Sequence, residues 1–329
     1  MRVAVIFTGG TIGSTLDGEW VSLNSVSKHL LISNYLNKFG DEVEFEIFTP
    51  FSILSENLSG HELSKLIKCV DACLKKNYDG IIVTHGTDTI QYTAAALCYT
   101  LEVTNIPVLF VSANYPLDAE MTNGNINFEA AVSFIKSRSG CGVFVSYKNT
   151  SKSAVEFHYG TRLLSHLETI DDLYSIDRGA FAFYEDGKIC FNSEFKPVKT
   201  KKIYKNFNFG DKSDILVVSS HPGDSFEYNI EKFKAVILIP YHSSTLNTAS
   251  AAFVDFCKRA KEGNIPVFVV NLRSEFIYES SKVFDELHLI KLPLCCFAAA
   301  YVKLWIALSS GCDVITFMNE EICGEFLDV

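Results

Sequence analysis

The sequence predicts an α/β protein of two domains, a larger N-terminal one built on a doubly wound, mostly parallel sheet and a smaller C-terminal α/β domain. Three observations carry this. Runs such as Val3 to Phe7, Ile81 to Thr84 and Ile106 to Val111 are apolar and rich in β-branched residues without alternation, the pattern of strands buried on both faces. Each passes through a glycine or polar turn toward a segment of helical periodicity, so strand and helix alternate. The chain has 329 residues, enough for two sizeable cores, and the alternation lapses after Asn149 before it resumes beyond Ser213. The expected division is a domain over 1–190, a linker over 191–212 and a second domain over 213–329.

In chain order, the first strand leads into Thr8-Gly9-Gly10-Thr11, where the glycines free the backbone for a sharp turn. Asn24 to Phe39 follows with Leu31, Ile32, Tyr35, Leu36 and Phe39 at helical spacing, Asn24 or Ser25 as cap and Gly40 as stop. Glu42 to Phe48 alternates as a strand exposed on one side. Thr49 to Leu58 is a loop carrying Ser55-Glu56-Asn57, and Ser59-Gly60-His61-Glu62 is a capping box opening a helix that buries Leu63, Leu66, Ile67, Val70 and Leu74. Ile82-Val83-Thr84 then enters a second corner, His85-Gly86-Thr87-Asp88-Thr89, and a helix is expected from Ile90 to Thr104. A buried strand ends at Ser112-Ala113-Asn114, a polar loop covers Asp118 to Asn127, a helix Phe128 to Lys136 and a strand Gly142 to Tyr147. Asn149 to about Gly187 reads as irregular, and Phe191 to Ser213, with Lys199, Lys201, Lys202 and Lys205 and no periodicity, as a solvated connector. The second part has strands at Ile215 to Ser219, Ala235 to Pro240 and Pro266 to Asn271, and helices at Thr248 to Lys261 and Leu294 to Leu308.

A formal net charge of -10 disfavours nucleic acid, an anionic membrane or polyphosphate as partner. The apolar run from Pro293 to Ser310 is interrupted by Lys303 and falls short of the roughly 20 residues that cross a bilayer, so it reads as a buried helix. Met1 and Arg2 lead directly into a strand, with no secretory signal in view. The ten cysteines form no paired framework; Cys98, Cys141, Cys190 and Cys257 sit in apolar runs, Cys69 and Cys73 lack matching histidines for zinc, and a reducing cytoplasm fits. No metal site and no cofactor are expected. A phosphate cradle needs a lysine that Gly9 to Gly18 does not contain, and Gly9-Gly10-Thr11-Ile12-Gly13 lacks the dinucleotide spacing.

In a parallel sheet both corners lie at carboxyl ends of strands, where ligands bind beside a reversal of strand order. Thr11 and Thr87 then face one crevice, with Asp88 beside them and Ser55 and Glu56 on the same rim. A hydroxyl nucleophile attacking a carbonyl needs a proton acceptor, donors for the developing oxyanion and anchors for the substrate. Asp88 suits an ammonium anchor, and turn amides around Gly9-Gly10 or Gly86 suit the oxyanion. Such a set fits hydrolysis of a small, amine-bearing amide.

Thr8-Gly9-Gly10-Thr11-Ile12-Gly13 and Thr84-His85-Gly86-Thr87-Asp88-Thr89 resemble the two signature motifs of the bacterial-type L-asparaginase and glutaminase family. The resemblance implies Thr11 as nucleophile, Thr87 as an activating hydroxyl and Asp88 as the ammonium anchor. Ser55-Glu56-Asn57-Leu58 resembles the family loop whose serine grips the substrate carboxylate, with Glu56 where glutamine is common. Val111-Ser112-Ala113-Asn114 resembles the strand end whose alanine carbonyl, here that of Ala113, faces the scissile amide. It also implies a homodimer or homotetramer acting on a small amino-acid amide.

Two positions depart from the family pattern. Trp20 stands where the family has a loop tyrosine, and Ser165, in Arg162-Leu163-Leu164-Ser165, stands where it has a catalytic lysine. Tyr147, Lys148, Lys152 and Tyr159 are the nearby groups available to substitute. Two functions follow: a threonine amidohydrolase releasing ammonia from asparagine or a related amide, or a homologue that binds an amino acid with little turnover. The tRNA-amidating relative carries an extra N-terminal domain, and an acidic chain that begins on a strand does not match it.

Overall fold

Strands of unbroken apolar character satisfy their backbones only inside a covered sheet, and the chain builds such a sheet around its first strand. The computed structural model describes residues 1–17, 20–23, 25–101, 104–138, 140–167, 169–176, 179–195, 198, 209–272 and 278–327, with backbone alone for 15–17, 20–23 and 25–28. β1 (Arg2–Phe7) leads to a hairpin of β2 (Ser14–Asp17) and β3 (Trp20–Leu23), then α1 (Ser25–Phe39), β4 (Glu44–Phe48), α2 (Gly60–Leu74), β5 (Gly80–Thr84), α3 (Ile90–Thr100), β6 (Pro107–Val111), α4 (Gly124–Ser137) and β7 (Gly142–Tyr147). β8 (Val155–Tyr159), β9 (Ala182–Glu185) and β10 (Lys188–Phe191) complete the first part. The second comprises β11 (Ile215–Ser219), β12 (Ala235–Ile239), α5 (Ala251–Glu262), β13 (Val267–Val269), β14 (Leu289–Lys291), α6 (Phe297–Ser310) and α7 (Val314–Asn319).

The larger sheet has the order β10-β9-β8-β7-β6-β5-β1-β4. β4, β1, β5, β6 and β7 run parallel, and β8 to β10 add an antiparallel extension. The chain goes outward from β1 to β4 on one side, then returns past β1 to β5 on the other. Strand order therefore reverses between β1 and β5, and their carboxyl ends open a crevice at the reversal. The smaller sheet, β11-β12-β13-β14, is parallel throughout.

The antiparallel extension replaces the irregular stretch expected from Asn149 to Gly187. Val155, Phe157 and Tyr159 alternate into the core, but these strands are only four or five residues long and Glu156 and His158 dilute their pattern. Helix α4 begins at Gly124, four residues before the expected Phe128, through a segment of low helix propensity. Tertiary contacts decide it: buried Asn127 donates to Ser112 O at 2.9 Å and accepts from Lys148 N at 2.7 Å through its side chain. Helix α3 ends at Thr100 because Leu101 turns extended, and β14 was not expected. Cys98 and Cys257 are buried as expected, whereas Cys141 and Cys190 are exposed. The expected linker at 191–212 lies largely outside the described residues, as does the Trp20 side chain.

Ser59 caps the helix, its hydroxyl accepting from His61 N, and it pairs with the Glu62 carboxylate through that hydroxyl in place of the backbone bonds of the expected capping box. Val218, Val236 and Leu238 of the smaller sheet pack with Phe253 and Phe256 of α5 in a separate core. Helix α6 packs against α3, so Val302, Leu304 and Ile306 join the core of the larger sheet. Lys303 sits on this buried helix with 1% of its side chain exposed, paired to equally buried Glu325 at 2.6 Å. Its ammonium also donates to Glu320 O, while the Glu325 carboxylate accepts from Ile322 N and Cys323 N. The pair ties the C-terminal segment to α6. Glu325→Ala, which strands the ammonium in the core, should lower stability by about 3–5 kcal/mol in urea unfolding. The same loss in a Lys303→Met/Glu325→Leu double variant would point to packing rather than the uncompensated charge.

Candidate active site

Phe7 and Thr84 are in register on adjacent parallel strands, so the corners that follow them leave the sheet side by side. Thr8 Oγ1 donates to Thr84 O at 2.6 Å and fastens one corner to the other. Gly9 and Gly10 have φ of 105° and 75°, a region that L side chains rarely adopt. A Cβ on Gly10 would stand 2.4 Å from Gly86 Cα, and one on Gly86 would stand 2.5 Å from Ser55 Oγ. Only two glycines permit this backbone-to-backbone approach.

The loop after β4 is drawn into the same junction. Gly10 N donates to Ile53 O at 2.9 Å and Ile53 N donates to Thr8 O at 3.0 Å, a short parallel bridge beyond the end of β1. Ser55 follows two residues later, buried at the start of a 3₁₀ turn. Its hydroxyl donates to Asp88 Oδ2 at 3.3 Å, and its carbonyl accepts from Thr89 Oγ1 at 3.0 Å. Thr11 opens a second 3₁₀ turn, held by Gly13 N and Ser14 Oγ donating to Gly10 O at 2.9 and 2.8 Å.

Thr11, Ser55, Thr87 and Asp88 are thus collected where β1 and β5 end. Thr11 and Thr87 are half-buried, while Asp88 and Glu56 are exposed. Ala113 is fully buried just past β6, and that strand end is locked to the second corner by His85 N donating to Val111 O and Ser112 Oγ donating to His85 O, at 3.0 and 2.7 Å. The Gly10 amide is committed to Ile53 and so is not the free oxyanion donor that its turn suggested.

The groups proposed to replace the missing lysine and tyrosine separate. Tyr159 lies at the far end of the sheet, paired across the strands with Phe144, and its hydroxyl is 3.4 Å from Cys323 Sγ. Tyr147 is buried, donates to Asp171 O at 2.7 Å, and burial pushes its pKa up to about 12, which keeps the phenol protonated. Lys152 is exposed, and its charge acts on Glu156. Lys148 directly follows β7, its amide held by Asn127 and its carbonyl by Asn123. Ser165 is exposed, with Gln91 Nε2 donating to its hydroxyl at 3.4 Å and to Asp88 O at 3.1 Å. Gln91 and Thr89 both stand at the Asp88 corner without having been singled out from the sequence. For Gln91 and Thr89 the helical register after Asp88 was the available signal.

Beneath the crevice, buried His85 places Nδ1 2.8 Å from Gly86 O; a carbonyl only accepts, so Nδ1 carries the hydrogen. Burial lowers its pKa to about 4, and does the same to His158, whose Nδ1 meets Ser175 Oγ at 2.9 Å.

A doubly wound sheet with hydroxyls and a carboxylate gathered at its switch point defines the class of amidohydrolase-type α/β proteins. The chain belongs to the asparaginase family: the family description "Asparaginase, N-terminal" matches residues 2–195. Its fold is similar to the thermostable L-asparaginase from Thermococcus kodakarensis, with a TM-score of 0.82 at 20% identity over 100% of both chains. It is also similar to L-asparaginase I from Vibrio cholerae, with a TM-score of 0.78 at 20% identity over 99% of each. Among curated proteins, a glutamyl-tRNA(Gln) amidotransferase subunit from Methanobrevibacter smithii is 25% identical, over 99% of this chain and 77% of that protein. Its counterpart from Methanosarcina mazei is 27% identical, over 82% of this chain and 64% of that protein. These relatives overturn the expectation that nucleic acid is excluded and a small amide is the sole partner. Net charge bears on direct contact with phosphate, not on membership in an assembly whose other subunits contact RNA.

Gly10→Ala should lower stability by at least about 2 kcal/mol and loosen ligand binding, because strain and a backbone collision coincide there; thermal melting with and without an amino acid checks both. The histidines give a pH dependence. An unfolded histidine titrates near pH ~6.5, so below that the unfolded chain binds more protons than the native one. The native advantage is intact above about pH 6.5 and declines toward pH 4, by up to about 1.4 kcal/mol per unit for each histidine. Urea unfolding across this range should show the decline and His85→Gln should flatten it; an unchanged slope in that variant contradicts the assignment.

Proposed function

We propose that this chain hydrolyses the side-chain carboxamide of asparagine or glutamine and releases ammonia, with Thr11 as the nucleophile. The observation that carries the reading is the glycine junction, which sets Thr11, Ser55, Thr87 and Asp88 on one rim of a family fold. Thr11 Oγ1 attacks the amide carbon, and Thr87 assists the proton transfers. Asp88 holds the substrate ammonium, a charge-assisted bond that its exposed carboxylate is free to make. Ser55 turns its single hydroxyl hydrogen from Asp88 to the substrate carboxylate, and the Ala113 carbonyl faces the amide. Glu56, exposed on the same turn as Ser55, adds negative charge near the carboxylate position and so acts on substrate choice.

The curated relatives favour a second reading of the same chemistry, in which the ammonia is passed on for amidation of glutamyl-tRNA(Gln). Ammonia release from L- and D-asparagine and L- and D-glutamine, by the isolated chain and in cell extract supplied with glutamyl-tRNA(Gln), separates the two. Release by the chain alone supports the free amidase. Release that requires the extract and the charged tRNA supports the second, and none under either condition refutes both.

Thr11→Ala should abolish turnover while leaving thermal stability and amino-acid binding near the parent values. Asp88→Asn should raise KM roughly 10- to 100-fold, the loss expected for one hydrogen bond to a charged group. Near-parental turnover in the first, or an unchanged KM in the second, removes the role assigned.

A further inference from the structure

Behind the crevice, α2, α3 and α6 meet β11 and the segment that leads into it, and together they enclose a cavity of about 890 Å³. A space of that size holds small organic ligands. We propose that this cavity binds an amino acid with an aromatic side chain, and that its occupancy tightens substrate binding through the turn that carries Ser55. The link to substrate rests on the amidase reading above; the binding itself does not.

One wall of the cavity is aromatic. Phe297, Tyr301 and Trp305 are spaced four apart on α6 and so share one face, and Tyr92 of α3 joins them. Tyr92 stands 6.3 Å from Phe297 and 5.8 Å from Tyr301, and Tyr301 stands 6.1 Å from Trp305, all three pairs edge-to-face. Tyr92, Phe297 and Tyr301 are only half-buried, so ring surface is left to the cavity rather than covered by protein. Another ring extends such an array at little cost in order, because aromatic side chains are rigid and prefer these geometries. Leu58, Leu63, Ile215 and Val217 supply aliphatic surface to the same space.

The rim carries charge of both signs. Lys212, Lys232 and Asp211 line it, are exposed and form no ion pair among the described residues, whereas Asp214 is taken by Lys234 at 2.9 Å. Ammonium groups for a carboxylate and a carboxylate for an ammonium suit a zwitterion, each bond being charge-assisted. The Ser213 and Tyr301 hydroxyls, 2.7 Å apart, fasten the segment that bears Asp211 and Lys212 to the aromatic wall. An apolar ring wall beneath a rim of mixed charge is complementary to an aromatic amino acid.

The cavity also shares residues with the back of the substrate rim. Ser55 O accepts from Thr89 Oγ1 at 3.0 Å and from Leu58 N at 3.1 Å, and both donors belong to residues that line the cavity. Thr89 directly follows Asp88. A ligand packed against Thr89 and Leu58 therefore restrains the 3₁₀ turn that presents Ser55. A turn already held in place loses less freedom when substrate binds, so the coupling is positive and, by linkage, reciprocal.

Calorimetric titration of the full chain tests occupancy. L-phenylalanine should bind with a Kd on the order of 1 mM or tighter. L-alanine, phenethylamine and 3-phenylpropionate, which lack the ring, the carboxylate and the ammonium in turn, should each bind at least about 10-fold more weakly. The exposed double change Lys212→Ala/Lys232→Ala should weaken L-phenylalanine about 10-fold, and Val217→Trp, which fills the space, should do so too, while Asp88→Asn leaves its Kd within about twofold. No binding to the parent at about 20 mM, or an affinity unaltered in the lysine variant, overturns the proposal. Loss of binding in Asp88→Asn overturns it as well, since the ligand then occupies the crevice. The coupling is read with L-aspartate: saturating L-phenylalanine should lower its Kd about threefold, L-aspartate should lower that of L-phenylalanine by the same factor, and Thr89→Val should remove both shifts with L-phenylalanine still bound. Affinities indifferent to the second ligand overturn the coupling. A parent that binds L-phenylalanine but neither binds L-aspartate nor releases ammonia ends the amidase reading and upholds the cavity.

Discussion

The contact between Gly10 and Gly86 is the constraint on which the rest of the site depends. Two backbone corners approach more closely than any side chain allows, and they do so where strand order reverses in the larger sheet. The approach fixes where Thr11 and Thr87 stand relative to each other, because each follows its glycine by a single residue. Ile53 and Ser55 are then held to the same junction by backbone and hydroxyl bonds rather than by packing.

Around this junction the strand ends are wired together by asparagines, of which Asn123, Asn127 and Asn149 are buried. Asn127 links the ends of β6 and β7, Asn114 and Asn123 exchange side-chain and backbone bonds across the loop after β6, and Asn149 binds the loop after β8. Fully satisfied polar networks in a low-dielectric setting are rigid and specify one arrangement. A rim made of loops thereby acquires the precision usually found on helices and strands, as the amide hydrolysis proposed for this site requires. The buried Lys303–Glu325 pair plays a comparable part on the far side, fixing the C-terminal segment on the helix that backs α3.

Membership in the asparaginase family narrows the chemistry to amide hydrolysis and leaves open what becomes of the ammonia. The solved structures it resembles are L-asparaginases, whereas the curated relatives are subunits of an enzyme named for a tRNA. One crevice suits both outcomes, because releasing ammonia and handing it on share every step up to cleavage of the C–N bond. Ser165, at the position where the resemblance implies a lysine, accepts from Gln91 Nε2, which also donates to Asp88 O.

The sequence by itself determined the parallel core, the two corners and the rim residues Thr11, Ser55, Thr87 and Asp88. Those features are local: unbroken apolar runs of Val and Ile, glycines that turn the chain, and polar residues at fixed offsets from both. It did not disclose β8 to β10, whose short strands mix Glu156 and His158 into the apolar pattern, nor the start of α4 at Gly124, where Asn127 overrides a weak helix signal. The commitment of the Gly10 amide and the enclosure of Lys303 were decided only by tertiary structure. Each is a relation between residues distant along the chain, and whether a polar group is partnered, open or sealed from water is set by what the fold brings against it.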